Sequence, residues 1–257
     1  MKTITTDVLV CGGGISGLLT AKSLLNLGLS VICLEKIKGS LKSEKVITDG
    51  RSTALLQPAI DFLSDLGLWK RLSQKAQALE SLIICNLSPE KGVIDETCEF
   101  LARDLSLTNL GFNIPNEFFI SELRKSLASD SNFIFFDNIV IQDLVSRSKE
   151  IIVLTDQGHR IISKLVIGAD GRNGSIRELA KIKKFSFDYS QKALVFSINH
   201  ELKHKAKSFE IYESGGPCTL VPNKTSKDDG HFSSVVFMQS PREIEKILNL
   251  DKEAMST

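Results

Sequence analysis

The chain has 257 residues, 42% of them hydrophobic and 25% charged, which is an ordinary soluble composition and enough for one large domain or two modest ones. Its 32 Lys and Arg against 31 Asp and Glu leave a net charge of +1, which gives no case for a nucleic-acid surface or for strong steering of a charged substrate. No run approaches the roughly 20 apolar residues that a membrane helix needs, and the apolar stretch after Thr6 is broken by Gly12, Gly13 and Gly14, so it does not read as a signal peptide.

In chain order, Val8–Cys11 predicts a short buried parallel strand. Ile15, Leu18, Leu19, Ala21, Leu24 and Leu25 recur at helical spacing, and Gly28 stands where a helix-ending glycine belongs. Val31–Leu34 is a second apolar strand, closed by Glu35. Ser52–Leu72 reads as helical, Ser81–Leu87 and Cys98–Leu105 as strands, and Phe118–Ala128 as a helix. Phe133–Phe136 and Ile139–Val145 are strands, and Ile151–Thr155 with His159–Ser163 around Asp156-Gln157-Gly158 is a hairpin. Leu165–Ala169 is a further apolar strand, and a helix starts at Ser175. Beyond about residue 183 strands dominate, at Ala193–Ile198, Phe209–Tyr212, Cys218–Val221 and Ser233–Met238, before a helix over Pro241–Leu250. The pattern is a nucleotide-binding α/β domain followed by a sheet-rich second domain.

Cys11, Cys33, Cys85, Cys98 and Cys218 are odd in number and form no CxxC pair, so they read as reduced thiols of a cytosolic protein. His200 and His204 are spaced i,i+4, but the segment reads as a strand entering a polar turn with no further ligands nearby, and no metal site is assigned.

Gly12-Gly13-Gly14-Ile15-Ser16-Gly17 matches GxGxxG between a predicted strand and a predicted helix. In that pattern Gly12 permits the tight turn, Gly14 lets backbone approach a pyrophosphate, and Gly17 lets helix and strand pack closely. The free N–H groups and the dipole at the helix start then face the phosphates. Glu35 lies 18 residues past Gly17 at the end of the second strand, placed to accept from ribose hydroxyls and to repel a 2′-phosphate, so this loop is not expected to hold NADP.

Gly168-Ala169-Asp170-Gly171-Arg172-Asn173-Gly174-Ser175-Ile176-Arg177 resembles the GADG…R signature of the flavoprotein hydroxylases related to 4-hydroxybenzoate hydroxylase. Gly174 stands where that family usually has Ser. Asp49-Gly50-Arg51-Ser52-Thr53-Ala54-Leu55, Leu66-Gly67-Leu68-Trp69, Leu110-Gly111-Phe112 through Asn116, and Gly216-Pro217-Cys218-Thr219-Leu220-Val221-Pro222 resemble segments of the ubiquinone-biosynthesis hydroxylases within it. Pro115 replaces their usual Glu.

The resemblance implies an α/β fold: a Rossmann-like FAD-binding domain opened by a glutathione-reductase-like βαβ unit, over 1–75 and 101–182, interleaved with a sheet-rich substrate domain over 76–100 and 183–257. It implies FAD held by Gly12, Gly13, Gly14, Ile15, Ser16, Gly17, Glu35 and Lys36, with Arg51, Asp170 and Gly171 close to the cofactor, and NADH or NADPH as electron donor. The implied reaction adds one oxygen atom from O2 to the ring of an apolar, polyprenylated phenol in ubiquinone biosynthesis. The flavin carries that chemistry, so no catalytic side chain and no metal are nominated. Phe187, Phe196, Phe209 and Phe237 are candidates to line the substrate pocket, although core packing is the simpler role for each.

The implied setting is cytoplasmic, with peripheral association at the inner membrane or with a ubiquinone-biosynthesis complex as an option. The family runs on for well over a hundred residues and carries a later Gly-Asp motif that this chain lacks, so the expectation is a truncated copy. The rival readings are an inactive remnant that binds nucleotide or a partner protein, and another FAD oxidoreductase of the same fold.

Overall fold

A computed structural model of the chain describes residues 2–39, 50–88, 93–213, 215–224 and 231–250. In chain order its elements are β1 (Lys2–Cys11), α1 (Ile15–Asn26), β2 (Val31–Leu34), β3 (Ser52–Leu56), α2 (Gln57–Asp65), α3 (Trp69–Leu72), β4 (Gln77–Leu79), β5 (Ser81–Leu87), β6 (Ile94–Leu101), β7 (Gly111–Pro115) and α4 (Asn116–Leu127). There follow β8 (Phe133–Phe136), β9 (Ile141–Ser146), β10 (Ile151–Thr155), β11 (His159–Gly168), α5 (Ile176–Leu179), β12 (Lys192–His200), β13 (Lys207–Glu213), β14 (Gly216–Asn223), β15 (His231–Gln239) and α6 (Pro241–Leu248). Two compact units emerge: one draws on 1–47, 63–71 and 117–185, the other on 48–62, 72–116 and 186–257. Residues 50–62, 72–75 and 101–116 group with the second unit, whereas the division that the resemblance implies puts them in the first.

The first unit is built on a sheet of order β8-β2-β1-β11-β10-β9. β8, β2, β1 and β11 run parallel, and β10 and β9 continue antiparallel. Strands buried on both faces need unbroken apolar runs, and all of Val31–Leu34 is buried accordingly. Leu9, Cys11, Ile32 and Leu34 join Ile139, Val153, Ile161 and Ile176 in one apolar cluster. α1 packs on β1 and β2, with Leu18 and Ala21 fully buried. Each such aliphatic side chain contributes about 1.5–3 kcal/mol of burial, enough to tie the opening βαβ unit together.

The second unit holds a sheet of order β12-β15-β14-β13-β5-β6 and a small sheet β3-β7-β4. Asn113 of β7 is buried and joins the two, its Nδ2 donating to the Pro222 carbonyl at 2.8 Å and to Asn223 Oδ1 at 2.9 Å. Phe209, Leu220, Val235 and Phe196 stand opposite one another across four strands, so they share one face of the larger sheet. Phe187 precedes that sheet and is 69% exposed, which corrects the expectation that it packs in the core. Its ring meets Tyr189 edge-on, at 5.1 Å between centroids.

Three sequence expectations change. Ser52–Leu56 is a strand paired with β7, and the helix starts only at Gln57, with Pro58 in its first turn, where the missing N–H costs nothing. Gly67, at φ +70°, ends that helical stretch before Trp69. Cys98–Leu105 divides into the end of β6 and a 3₁₀ turn at Ala102–Leu105. His159–Ser163 and Leu165–Gly168 form one continuous strand, because β11 pairs with β10 at its start and with β1 along its whole length. None of the described helices is long and apolar enough to cross a membrane.

Candidate functional site

The first unit brings Gly12–Gly17, Glu35, Lys36, Asp170 and Gly171 to neighbouring strand ends. β1 stops at Cys11, where the Ala169 N–H donates to the Cys11 carbonyl at 2.7 Å and the Gly12 N–H donates to the Leu34 carbonyl at 2.7 Å. These bonds fasten the loop between the ends of β2 and β11.

The glycines of the loop differ in what they permit. Gly12 has φ +118°, and a Cβ there would run into the Ala169 carbonyl. A Cβ at Gly17 would strike the Gly12 carbonyl. A Cβ at Gly13 would lie 2.9 Å from the Phe135 ring and 3.0 Å from the Glu35 Cβ. Gly14 has nothing within 4 Å, so it alone of the four opens onto free space. Gly12 and Gly17 are therefore required by the fold, whereas the protein itself sets no steric demand for glycine at 14.

Gly14 is also the N-cap of α1, and no side chain caps it. The first turn of α1 carries no acidic residue. Ile15, Ser16 and Gly17 thus present uncapped backbone donors and the positive end of the helix dipole to the space beside Gly14.

Glu35 closes the loop from the side. Its Oε2 accepts from the Gly13 N–H at 2.7 Å and its Oε1 from the Ile37 N–H at 2.9 Å. A carboxylate has about four acceptor sites, so lone pairs remain for a ligand's hydroxyls. Lys36 is exposed directly after it. Across β11, the Asp170 Oδ2 accepts from the Ile176 N–H at 3.0 Å, and Gly171 takes φ +80° in the turn between them. Burial, followed by the charge of Asp170, pushes the Cys11 thiol up to about 12, so Cys11 is no nucleophile here. Burial likewise pushes up the Cys33 thiol.

Arg51 belongs to the second unit, where it is exposed and its carbonyl accepts from the Asn116 N–H at 3.0 Å. Asp49 of the same motif lies outside the described residues. The sequence reading passed over Phe135, whose ring walls Gly13, and Arg124, whose guanidinium sits 5.9 Å from that ring. Phe135 is visible in sequence only as one apolar residue in a strand. Arg124 is buried on α4 against the pattern expected of arginine, a signal that exists only in three dimensions. Among the described residues no group of three His, Cys, Asp or Glu is placed to hold a metal.

An open cradle at Gly14, uncapped donors and a pinned carboxylate fit a diphosphate joined to a ribose, as in the ADP half of a dinucleotide.

Comparison with known proteins identifies the family. The family described as "FAD binding domain" matches residues 5–248. A protein named ubiquinone hydroxylase UbiL from Rhodospirillum rubrum is 27% identical over 96% of this chain and 55% of its own length. The 3-demethoxyubiquinol 3-hydroxylase of Escherichia coli is 24% identical over 96% of this chain and 60% of its own length. The chain therefore spans about half the length of the curated relatives it matches. Among solved structures, PqsL, described as a probable FAD-dependent monooxygenase from Pseudomonas aeruginosa, superposes with a TM-score of 0.76 at 17% identity, over 95% of this chain and 63% of that one. The p-nitrophenol 4-monooxygenase PnpA from Pseudomonas putida DLL-E4 also superposes with a TM-score of 0.76 at 17% identity, over 96% and 62%.

Proposed function

The chain belongs to the FAD binding domain family, and from that premise we propose that Gly12–Gly17, Glu35 and Lys36 hold the ADP half of FAD in a monooxygenase that hydroxylates the ring of a polyprenylated phenol. The observation that carries the cofactor site is the open space at Gly14 in front of an uncapped helix. The substrate class rests on the ubiquinone hydroxylases among the relatives.

FAD, when bound, supplies the chemistry: it takes electrons from NADH or NADPH and activates O2. The chain's own residues do the binding and orienting. The N–H groups at the start of α1 face the diphosphate, and Glu35 accepts from the ribose. Asp170 and Gly171 shape the turn that carries Ala169 beneath Gly12. Within the second unit, the apolar sheet face that carries Phe196, Phe209 and Phe237 offers a wall for an apolar phenol. Association with a membrane surface or with a ubiquinone-biosynthesis complex fits an apolar substrate of this kind.

Calorimetric titration with ADP and with FAD tests the first part. Saturable binding of both is expected. A protein that binds neither has no dinucleotide site at this loop. Hydroxylated product formed from NADH or NADPH, O2 and a short-chain prenylphenol tests the second part, with NADH oxidised at an unchanged rate with and without the phenol as the contrary result.

A further inference from the structure

We infer that Arg124 is a further nucleotide-binding residue, its buried guanidinium donating to the adenosine end of the ligand beside Glu35; this rests on the reading of Gly12–Gly17 as a dinucleotide loop.

Arg124 is buried on α4 with Phe119, Leu123 and Leu127, and is only 8% exposed. A guanidinium carries five N–H donors and keeps its charge, so burying one is costly unless acceptors surround it. Here Nε has no hydrogen-bond partner, and among the described residues no carboxylate forms an ion pair with the group. The carboxylates whose charge reaches it are committed to backbone. Glu35 accepts from the Gly13 and Ile37 N–H groups, and Asp137 Oδ2 accepts from the Gly39 N–H at 2.7 Å. Burial pulls the guanidinium below the ordinary arginine range, and the charges of Glu35 and Asp137 oppose that pull only in part. The fold has buried a cation that it does not itself satisfy.

The group is also aimed. It lies 5.9 Å from the centre of the Phe135 ring, the same ring that walls Gly13. A Cβ at Gly39 would meet Nη1 and Nη2 at 3.4 Å each, so glycine there leaves the forked edge uncovered by a side chain. The guanidinium therefore backs the stretch from Glu35 to Gly39. A diphosphate at the start of α1 with its ribose at Glu35 carries the nucleoside towards that stretch. Ribose oxygens and adenine ring nitrogens are acceptors, and Arg124 is the unspent donor in their path. A 2′-phosphate would also suit a guanidinium, but it would meet the Glu35 carboxylate.

The experiment titrates ADP, inorganic diphosphate and 2′-phosphorylated ADP into wild type, Arg124→Met and Arg124→Lys by calorimetry, with a urea midpoint for each protein. In Arg124→Met the ADP affinity is expected to fall by about tenfold, the scale of a hydrogen bond to a charged group, while the affinity for diphosphate changes far less. The urea midpoint should hold or rise, because an unsatisfied buried charge has been removed. Arg124→Lys keeps the charge without the planar fork and should recover only part of the ADP affinity. Equal losses for ADP and diphosphate would make the effect one of net charge and overturn the inference. So would a midpoint that falls with the affinity, which marks a structural arginine, or a preference of wild type for 2′-phosphorylated ADP. Wild type failing to bind ADP would overturn the dinucleotide reading and Arg124 with it, whereas wild-type binding that Arg124→Met leaves undiminished would reject Arg124 alone.

Discussion

The Gly13 N–H donates to Glu35 Oε2 at 2.7 Å, which locks the turn after β1 to the carboxylate that ends β2. A second backbone donor, Ile37, holds Oε1 at 2.9 Å, so the carboxylate has one orientation before any ligand arrives. Binding then costs little side-chain ordering.

Glu35→Ala removes the tie to Gly13 and, with it, the proposed ribose acceptor. ADP affinity is expected to fall by about 1–3 kcal/mol, the scale of a hydrogen bond to a charged group. Glu35→Gln, which keeps one acceptor oxygen, should lose less. Calorimetry on the three proteins decides it, and equal affinities would make Glu35 a purely structural strand-end residue.

The glycines separate fold from function. A Cβ at Gly14 meets no atom within 4 Å and the backbone there, at φ −77°, accepts an L residue, so Gly14→Val should keep the wild-type unfolding midpoint while ADP binding disappears. Gly17→Ala drives a Cβ into the Gly12 carbonyl and should lower stability by several kcal/mol or prevent folding. Circular dichroism melts with ADP titrations distinguish the two. A folded Gly14→Val protein of undiminished affinity contradicts the site.

His204 gives the second unit a pH dependence. Burial first, then the neighbouring His231 and His200, hold its imidazole below the ordinary 6.5. Its Nδ1 accepts from the Ala206 N–H at 3.1 Å, which requires that nitrogen to be unprotonated. Lys203, Lys205 and Lys207 line the same groove, with Glu201 the carboxylate among them. Because the unfolded state binds the proton more readily, the contribution is fully present above pH 6.5 and is lost as the pH falls towards the depressed folded value. The urea midpoint should decline as the pH falls below 6.5, and His204→Asn should flatten that decline. Parallel curves for the two proteins would remove His204 from the account.

Asn113→Ala leaves the Pro222 carbonyl and Asn223 Oδ1 without their buried donor. A loss of about 1–3 kcal/mol is expected from urea unfolding, with Asn113→Leu no better because it brings no donor. Wild-type stability in Asn113→Leu would mean that water replaces both bonds.

The opening βαβ unit was legible in the sequence because its signals are local. Val31–Leu34 must be apolar throughout to be buried on both faces, and a GxGxxG turn must sit between a strand and a helix. The strands after residue 190 were legible for the same reason, being short apolar or alternating runs bounded by turn residues. Ser52–Leu56 was not, because Leu55 and Leu56 fit a helical face as well as a strand, and only pairing with Gly111–Pro115 chooses the strand. Cys98–Leu105 ended differently because the turn that closes it, with Ser106 at φ 58°, leaves no mark in residue type.

At the site, residue identity alone determined that a dinucleotide could be held at Gly12–Gly17 and that Glu35 would stand beside it, since spacing along one strand-turn-helix dictates both. Which glycines the fold itself demands was decided by tertiary structure. The Ala169 carbonyl that excludes a Cβ at Gly12 comes from more than 150 residues away in the chain. The direction of Asp170 was decided in the same way, because a carboxylate turns towards whichever donor the packed turn leaves unpaired, and that donor is the N–H of Ile176.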